Sequence, residues 1–397
     1  MFLGLPRQFW AGIVYFFAFG TTYGLWGGHV ASIEDRIGDS EALFGLALIG
    51  AAVGLMSSAP IVGPLSKRFG TANVLRTTYV VHLVVSLAIF WVPTAFVLFL
   101  LMTINGFTAG TCDVTMNAQT AVAERKTGKN LLSRAHATWS LGNVFGAGGA
   151  WLFLSWGVRD AQIIGTFIVV ALLALWAGAN LYSKDEEEEE VDKADGAGGA
   201  SHATVSTSPW LNPILLLMGL LATFGLLIES GMMDWTPIYF SDFRMEGAEV
   251  SAAVFTCFAV AMFVVRMLGD MARTYFRDKH LLIGGAFLAG VGLFAGLLIE
   301  TTALSIAIMA LGGVGIAFVY PLVTSRAAAY RAPGQTNASA AGNIAVVTGL
   351  GYAAIFVGPP IIGLLSENFS LFWGMAFVAA CGPVMALLAM LLPRQRP

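Results

Sequence analysis

Apolar residues run along this chain in long blocks separated by short polar breaks. Twelve blocks stand out, at 8–31, 41–66, 73–92, 95–121, 134–156, 161–182, 210–239, 248–272, 280–299, 302–326, 338–364 and 370–392. A helix of about 20 apolar residues crosses the hydrocarbon layer of a bilayer. The blocks are too long and too poor in polar alternation for barrel strands, which leaves closed helices as the way to satisfy the backbone in lipid. The pattern predicts an all-α integral membrane protein with twelve transmembrane helices. The first block is too long for the apolar core of a signal peptide and lacks a small-residue cleavage site, so it reads as the first span.

One break is unlike the rest. From Lys184 to Asp195 the chain is strongly acidic, and a Gly/Ala/Ser/Thr-rich tail continues to Ser208. This stretch divides the chain into an N-terminal six-helix bundle (1–182), a linker (183–209) and a C-terminal six-helix bundle (210–397). Self-repelling charge and small residues make the linker a solvated tether. Its glutamates lack the spaced ligands and turn glycine of a calcium loop.

Composition agrees with this reading: 57% of the residues are hydrophobic and 11% charged, against about 25% charged in soluble proteins. With the N-terminus inside, all of the 21 Lys and Arg residues except Arg36, Arg159 and Arg244 fall on the inner side. The positive-inside rule then puts both termini and the linker in the cytoplasm. Cys112, Cys257 and Cys381 lie in apolar blocks, away from any histidine at metal spacing, and read as buried small hydrophobes.

The halves repeat. Gly63 and Gly269, Gly106 and Gly312, and Arg125-x-x-Gly128 and Arg331-x-x-Gly334 share one offset and equivalent places in the topology. Parallel repeats of this kind imply a pseudo-twofold axis along the membrane normal, with a transport path between the halves. Gly63-Pro-Leu-Ser-Lys-Arg-Phe-Gly70 resembles the loop signature Gly-x-x-x-Asp-Arg-x-Gly of the major facilitator superfamily, with Lys67 where the signature has Asp. Gly269-Asp270, preceded by Arg266, resembles the partner region of the second half. Asp113-Val-Thr-Met-Asn117-Ala-Gln119, Glu124 and Ser133-Arg-Ala-His136-Ala-Thr-Trp139-Ser-Leu-Gly142 are similar to a bacterial branch related to fucose and rhizopine permeases. Glu229 with Asp234-Trp235, and Tyr352 with Gly358-Pro359-Pro360, fit the same branch. The resemblance implies the major facilitator fold, two pseudo-symmetric six-helix bundles, in the inner membrane of a bacterium.

Ionisable groups deep in a span are costly and usually face a cavity or a partner. Asp113, Glu229 and Asp234 qualify. Asp113 reads as a proton carrier or a ligand for a hydroxyl or cation, or else as a structural carboxylate. Glu229 and Asp234 lie about 140° apart around their helix, so they do not share a face. Asn117, one turn after Asp113, shares its face and serves as a substrate ligand or an interhelical clamp; Gln119 points elsewhere. Tyr23, Trp26, Trp235, Tyr320 and Tyr352 could stack on a substrate ring, or pack and anchor at the membrane interface. His136 starts span 5 near the inner gate; it reads as a proton sensor, since histidine ordinarily titrates near neutrality, or else as a packing residue.

Lys67, Arg68, Arg125, Arg266, Asp270 and Arg331 ring the cytoplasmic ends. By the resemblance they latch the halves when the transporter is open outward, with Asp270–Arg331 the preferred pair; the alternative is plain positive-inside bias.

No phosphate loop or catalytic motif is present, so no cofactor, metal, enzymatic activity or nucleic-acid partner is expected. The expected activity is secondary transport of a small polar solute, neutral, sugar-like or cationic, by a lipid-embedded monomer coupled to protons. A drug or metabolite exporter, and a non-transporting receptor or sensor, remain open beside it.

Overall fold

The computed structural model describes residues 5–129, 131–187, 210, 212–330 and 340–393. Twelve long helical segments follow one another among these residues. The first six are α1 (Arg7–Ile37), α2 (Glu41–Phe69), α3 (Thr71–Ile89), α4 (Ala95–Thr127), α5 (Leu132–Ser155) and α6 (Arg159–Gly178). The next, α7 (Pro213–Asp234), continues through Thr236–Ile238 into a π-helical turn, Tyr239–Phe243. Then come α8 (Ala248–Tyr275) and α9 (Asp278–Leu298). Two segments are broken: α10 into Thr302–Ile316 and Val319–Ala329, and α11 into Ala340–Gly351 and Ala353–Asn368. The last is α12 (Leu371–Met390).

Local chemistry sets several boundaries. Thr94 caps α4 by accepting from the Val97 amide, and Asn212 caps α7 by accepting from Ile214 and Leu215, with Pro213 as the first helical residue. Such caps satisfy amides that a helix start leaves orphaned. Gly38 and Gly128 close α1 and α4 in the left-handed conformation, which glycine adopts without a Cβ penalty.

Ten of the helical segments are long and apolar enough to cross a membrane; α1 and α5 are not among the ten. Those two helices carry glycines and polar groups among their apolar residues, and they pack on each other. A Cβ at Gly20 or Gly24 would collide with the backbone of Trp139 or Asn143, and one at Gly142 or Gly146 with the backbone between Phe17 and Leu25. Small residues on both helices thus bring the two backbones into contact, which is how helices associate where lipid offers no hydrophobic drive.

The chain forms two compact units, Met1–Asp39 with Leu46–Ala200 and Ser40–Gly45 with Ser201–Pro397. The packing scheme repeats within them: α1 lies on α5 and α3 on α4 in the first, α7 on α11 and α9 on α10 in the second. Each unit also seizes the end of its last helix. In the first, Arg76 donates to the Gly178 carbonyl at 2.7 Å, and Gln119 donates to Tyr182 O and accepts from Tyr182 N. In the second, Lys279 donates to Met390 O and Leu392 O, and Arg326 to Pro393 O. Donors placed there answer the unpaired carbonyls of a helix C-terminus.

The start of the acidic run is docked, which corrects the expectation of a wholly solvated strap. Residues 184–187 are helical. Glu187 caps α3 by accepting from Thr71 N at 3.1 Å and Thr71 Oγ1 at 2.6 Å, and it accepts from Gln119 Nε2 at 2.7 Å. Glu186 pairs with Lys126 at 3.2 Å, and Lys126 lies 4.8 Å from the Tyr182 ring centroid. The rest of the linker, 188–209, lies outside the described residues. A second correction concerns cysteine: Cys112 and Cys381 are buried, whereas Cys257 is exposed on α8.

Candidate functional site

In the first unit the polar groups converge from α1, α4 and α5. Asp113 stands half-buried near the middle of α4, and Asn117, one turn on, donates to its Oδ1 at 3.2 Å. The one-turn spacing places both on one face, as the sequence predicts. His136, in the first turns of α5, lies within electrostatic reach of Asp113 and packs edge-on against Phe16 with centroids 5.2 Å apart. Tyr23 sits between Phe19 and Trp139, at 5.3 and 6.0 Å between centroids. Trp26, one turn further along α1, is half-buried.

The arrangement is rich in acceptors. Asn117 Oδ1 and Asn143 Oδ1 are both buried, and neither meets a hydrogen-bond donor. The sequence reading did not single out Trp139 as a site residue, nor Asn143 at all. Their spacing was the available signal: 136, 139 and 143 fall on one side of a helix with 3.6 residues per turn. The other histidines of this unit are engaged elsewhere, His29 with Gln162 at 2.8 Å and His82 with Thr108 at 3.2 Å. Gln119 belongs to the linker clasp.

In the second unit, Glu229 of α7 meets Arg266 of α8. One guanidinium nitrogen of Arg266 lies 3.2 Å from each carboxylate oxygen, and both side chains are about a quarter exposed, at 24% and 26%. Arg266 was counted among the inner-end bases, yet it stands within α8 beside a span carboxylate. Asp234 and Trp235 are buried, Trp235 completely. Tyr320 and Tyr352 are half-buried beside the breaks in α10 and α11, and Tyr320 Oη donates to Thr348 at 3.5 Å. Thr223 of α7 donates to Leu350 O at 2.8 Å, which answers a carbonyl at the α11 break.

At the helix ends expected to face the cytoplasm, Lys67, Arg68 and Arg125 are exposed, and Arg68 lies over the Phe69 ring. Glu124 caps α5 by accepting from Leu131 N at 2.6 Å and Leu132 N at 3.0 Å. The expected Asp270–Arg331 latch lies outside the described residues, Arg331 wholly and Asp270 in its side chain. Among the described residues no group of His, Cys, Asp and Glu could hold a metal ion.

The sequence model of the Major Facilitator Superfamily matches residues 11–355. The chain belongs to the major facilitator superfamily. Curated relatives of this facilitator are an uncharacterised transporter of Sinorhizobium fredii, 30% identical over 372 residues (90% of this chain, 91% of the relative), and an uncharacterised MFS-type transporter of Yersinia pestis, 26% identical over 369 residues (93% and 91%). The membrane protein MosC of Rhizobium meliloti is 22% identical over 386 residues (96% and 89%). Among solved structures, the nucleoside transporter NupG superposes with a TM-score of 0.74 at 12% identity, covering 97% of this chain and 99% of that one. The D-xylose-proton symporter gives 0.73 at 15% identity, with 97% of each chain covered. At such identities the likeness speaks for the fold. The facilitator is thus a multi-pass membrane protein and a secondary transporter. Its candidate polar groups are held on helices rather than loops.

Proposed function

We propose that this facilitator moves a small, hydroxylated or cationic solute across a bacterial cytoplasmic membrane by alternating access, coupled to protons, with both termini in the cytoplasm. The observation that carries the reading is Asp113, a carboxylate within a membrane helix, hydrogen-bonded to Asn117 and within electrostatic reach of His136. A carboxylate in that setting can exchange a proton for a cation or hydroxyl donor. Glu229 already has a permanent cation in Arg266, which leaves Asp113 as the better carrier. Two solved transporters of the same fold are named for nucleosides and for D-xylose with protons, so a solute of this kind is compatible with the fold. Tyr23, Trp26, Tyr320 and Tyr352 are the aromatic groups to line the route, and Lys67, Arg68, Arg125, Asp270 and Arg331 the inner gate.

The test has two stages. A thermal-shift screen of sugars, polyols, amines and nucleosides on purified protein finds the ligand, since a solute at a hundred times its Kd stabilises the native state by about 2.7 kcal/mol. Flux of that solute into proteoliposomes then decides function. Uptake that accumulates solute when the lumen is alkaline supports the reading. Binding with no flux makes the protein a receptor, and efflux-only behaviour makes it an exporter.

A further inference from the structure

We infer that the head of the linker, Ser183 to Glu187, is a releasable strap. It closes over the start of α3, and while closed it holds the C-terminal end of α4, the helix that carries Asp113.

The start of α3 is built without a cap of its own. The first amides of a helix lack partners inside it, and a Ser, Thr, Asp or Asn just before the helix commonly answers one of them. α3 has Gly70 at that position, which offers no side-chain acceptor. The acceptor comes instead from 116 residues away: Glu187 takes hydrogen bonds from Thr71 N at 3.1 Å and from Thr71 Oγ1 at 2.6 Å. Gly70 also makes the room. Its φ is 80°, and a Cβ there would stand 2.9 Å from Cβ of Lys184. The glycine gives up a local cap and lets the linker backbone approach.

The strap folds on its own bonds. Ser183-Lys-Asp-Glu186 forms a capping box: Glu186 N donates to Ser183 Oγ at 3.3 Å, and Glu186 Oε2 accepts from Ser183 N at 2.8 Å. These bonds involve neither α3 nor α4, so the head leaves its seat without having to unfold. Part of what holds it down is wet. The Lys126 and Glu186 side chains are 26% and 35% exposed, and an ion pair so placed is weakened by water and salt.

What the strap holds is α4. Gln119 of α4 is only 2% exposed and donates to Glu187 at 2.7 Å. Lys126 lies seven residues on, two turns along the same side of the helix, and pairs with Glu186 at 3.2 Å. A closed strap therefore ties α4 at two levels. An open one takes both of these ties with it, and Gln119 keeps its bonds to Thr71 and Tyr182. The strap is also where the linker begins, so a load on the linker reaches α3 and α4 through these bonds.

Hydrogen exchange on the purified full chain tests this, read peptide by peptide along α4 at low and high sodium chloride. Glu187→Ala is expected to lower the protection of residues 119–127 about tenfold or more and to leave 98–110 within about twofold of wild type. Lys126→Ala should give a smaller loss in the same segment. In the wild type, protection of 119–127 should fall as salt rises from about 0.1 to 1 M, which shortens the Debye length from about 10 to 3 Å. In Lys126→Ala that salt dependence should shrink. Unchanged exchange of 119–127 in Glu187→Ala overturns the proposal. So does an equal loss along the whole of α4, which marks general destabilisation and not the release of a strap. Wild-type protection indifferent to salt, or a salt dependence that Lys126→Ala leaves intact, makes the head a fixed part of the unit and overturns it as well.

Discussion

Arg266 of α8 donates to both carboxylate oxygens of Glu229 of α7, each at 3.2 Å, inside the second unit. Each charge is affordable in the lipid-embedded bundle because the other is there. Removing one partner should therefore hurt more than removing both. Glu229→Gln or Arg266→Gln alone is expected to lower stability by about 1–3 kcal/mol, between the values for exposed and buried pairs. The double variant should recover much of that loss. Thermal unfolding in detergent, read as a double-mutant cycle, checks it; strictly additive losses would mean that the pair is incidental.

The linker clasp predicts an acid-sensitive edge. The Ser183 amide, and after it Lys126, hold the Glu186 carboxyl below its ordinary range. A carboxyl lowered on folding contributes stability that is fully present above its unfolded value and is lost as pH falls through the folded value. Neutral or alkaline pH should thus leave the clasp alone, and only acid should loosen it. Hydrogen exchange of the peptide spanning 178–187, corrected for intrinsic rates, should show protection falling at acid pH. Glu187→Ala should abolish the protection of the Thr71 amide at every pH. Protection that rises with acid would contradict the sign.

Glycine contacts between α1 and α5 give a steric prediction. Gly24→Ala and Gly146→Ala place a methyl against backbone that has no room for it, an overpacking that costs about 1–3 kcal/mol. Gly165→Ala meets nothing within 4 Å and should be neutral or slightly stabilising. Melting temperatures of the three variants decide; equal behaviour would show that the close approach is not what holds α5.

Hydropathy revealed the segments because each span must satisfy its backbone in lipid, and that requirement writes itself as long apolar runs. Their ends were less visible. Span 4 was read to 121 and runs to Thr127, because Glu124, Arg125 and Lys126 continue the helix beyond the apolar core. The breaks at Ala317–Phe318 and Tyr352 interrupt the helix without interrupting hydrophobicity, so composition could not show them. Asp113 with Asn117 was legible because both lie on one helix, one turn apart. Arg266 with Glu229 was not, since the pair is made between helices 37 residues apart in sequence. Glu187 was lost among identical neighbours: five consecutive glutamates look alike until one of them finds Thr71 and Gln119.

The central claim is that Asp113 carries the coupled proton, and one measurement reaches it directly. Proteoliposomes holding wild-type or Asp113→Asn protein are loaded with a solute found by thermal shift, and both pH-driven accumulation and solute exchange at equal pH are followed. The account predicts that Asp113→Asn keeps exchange within about tenfold of wild type while accumulation against a gradient disappears. Accumulation driven by pH in Asp113→Asn at the wild-type level would contradict it.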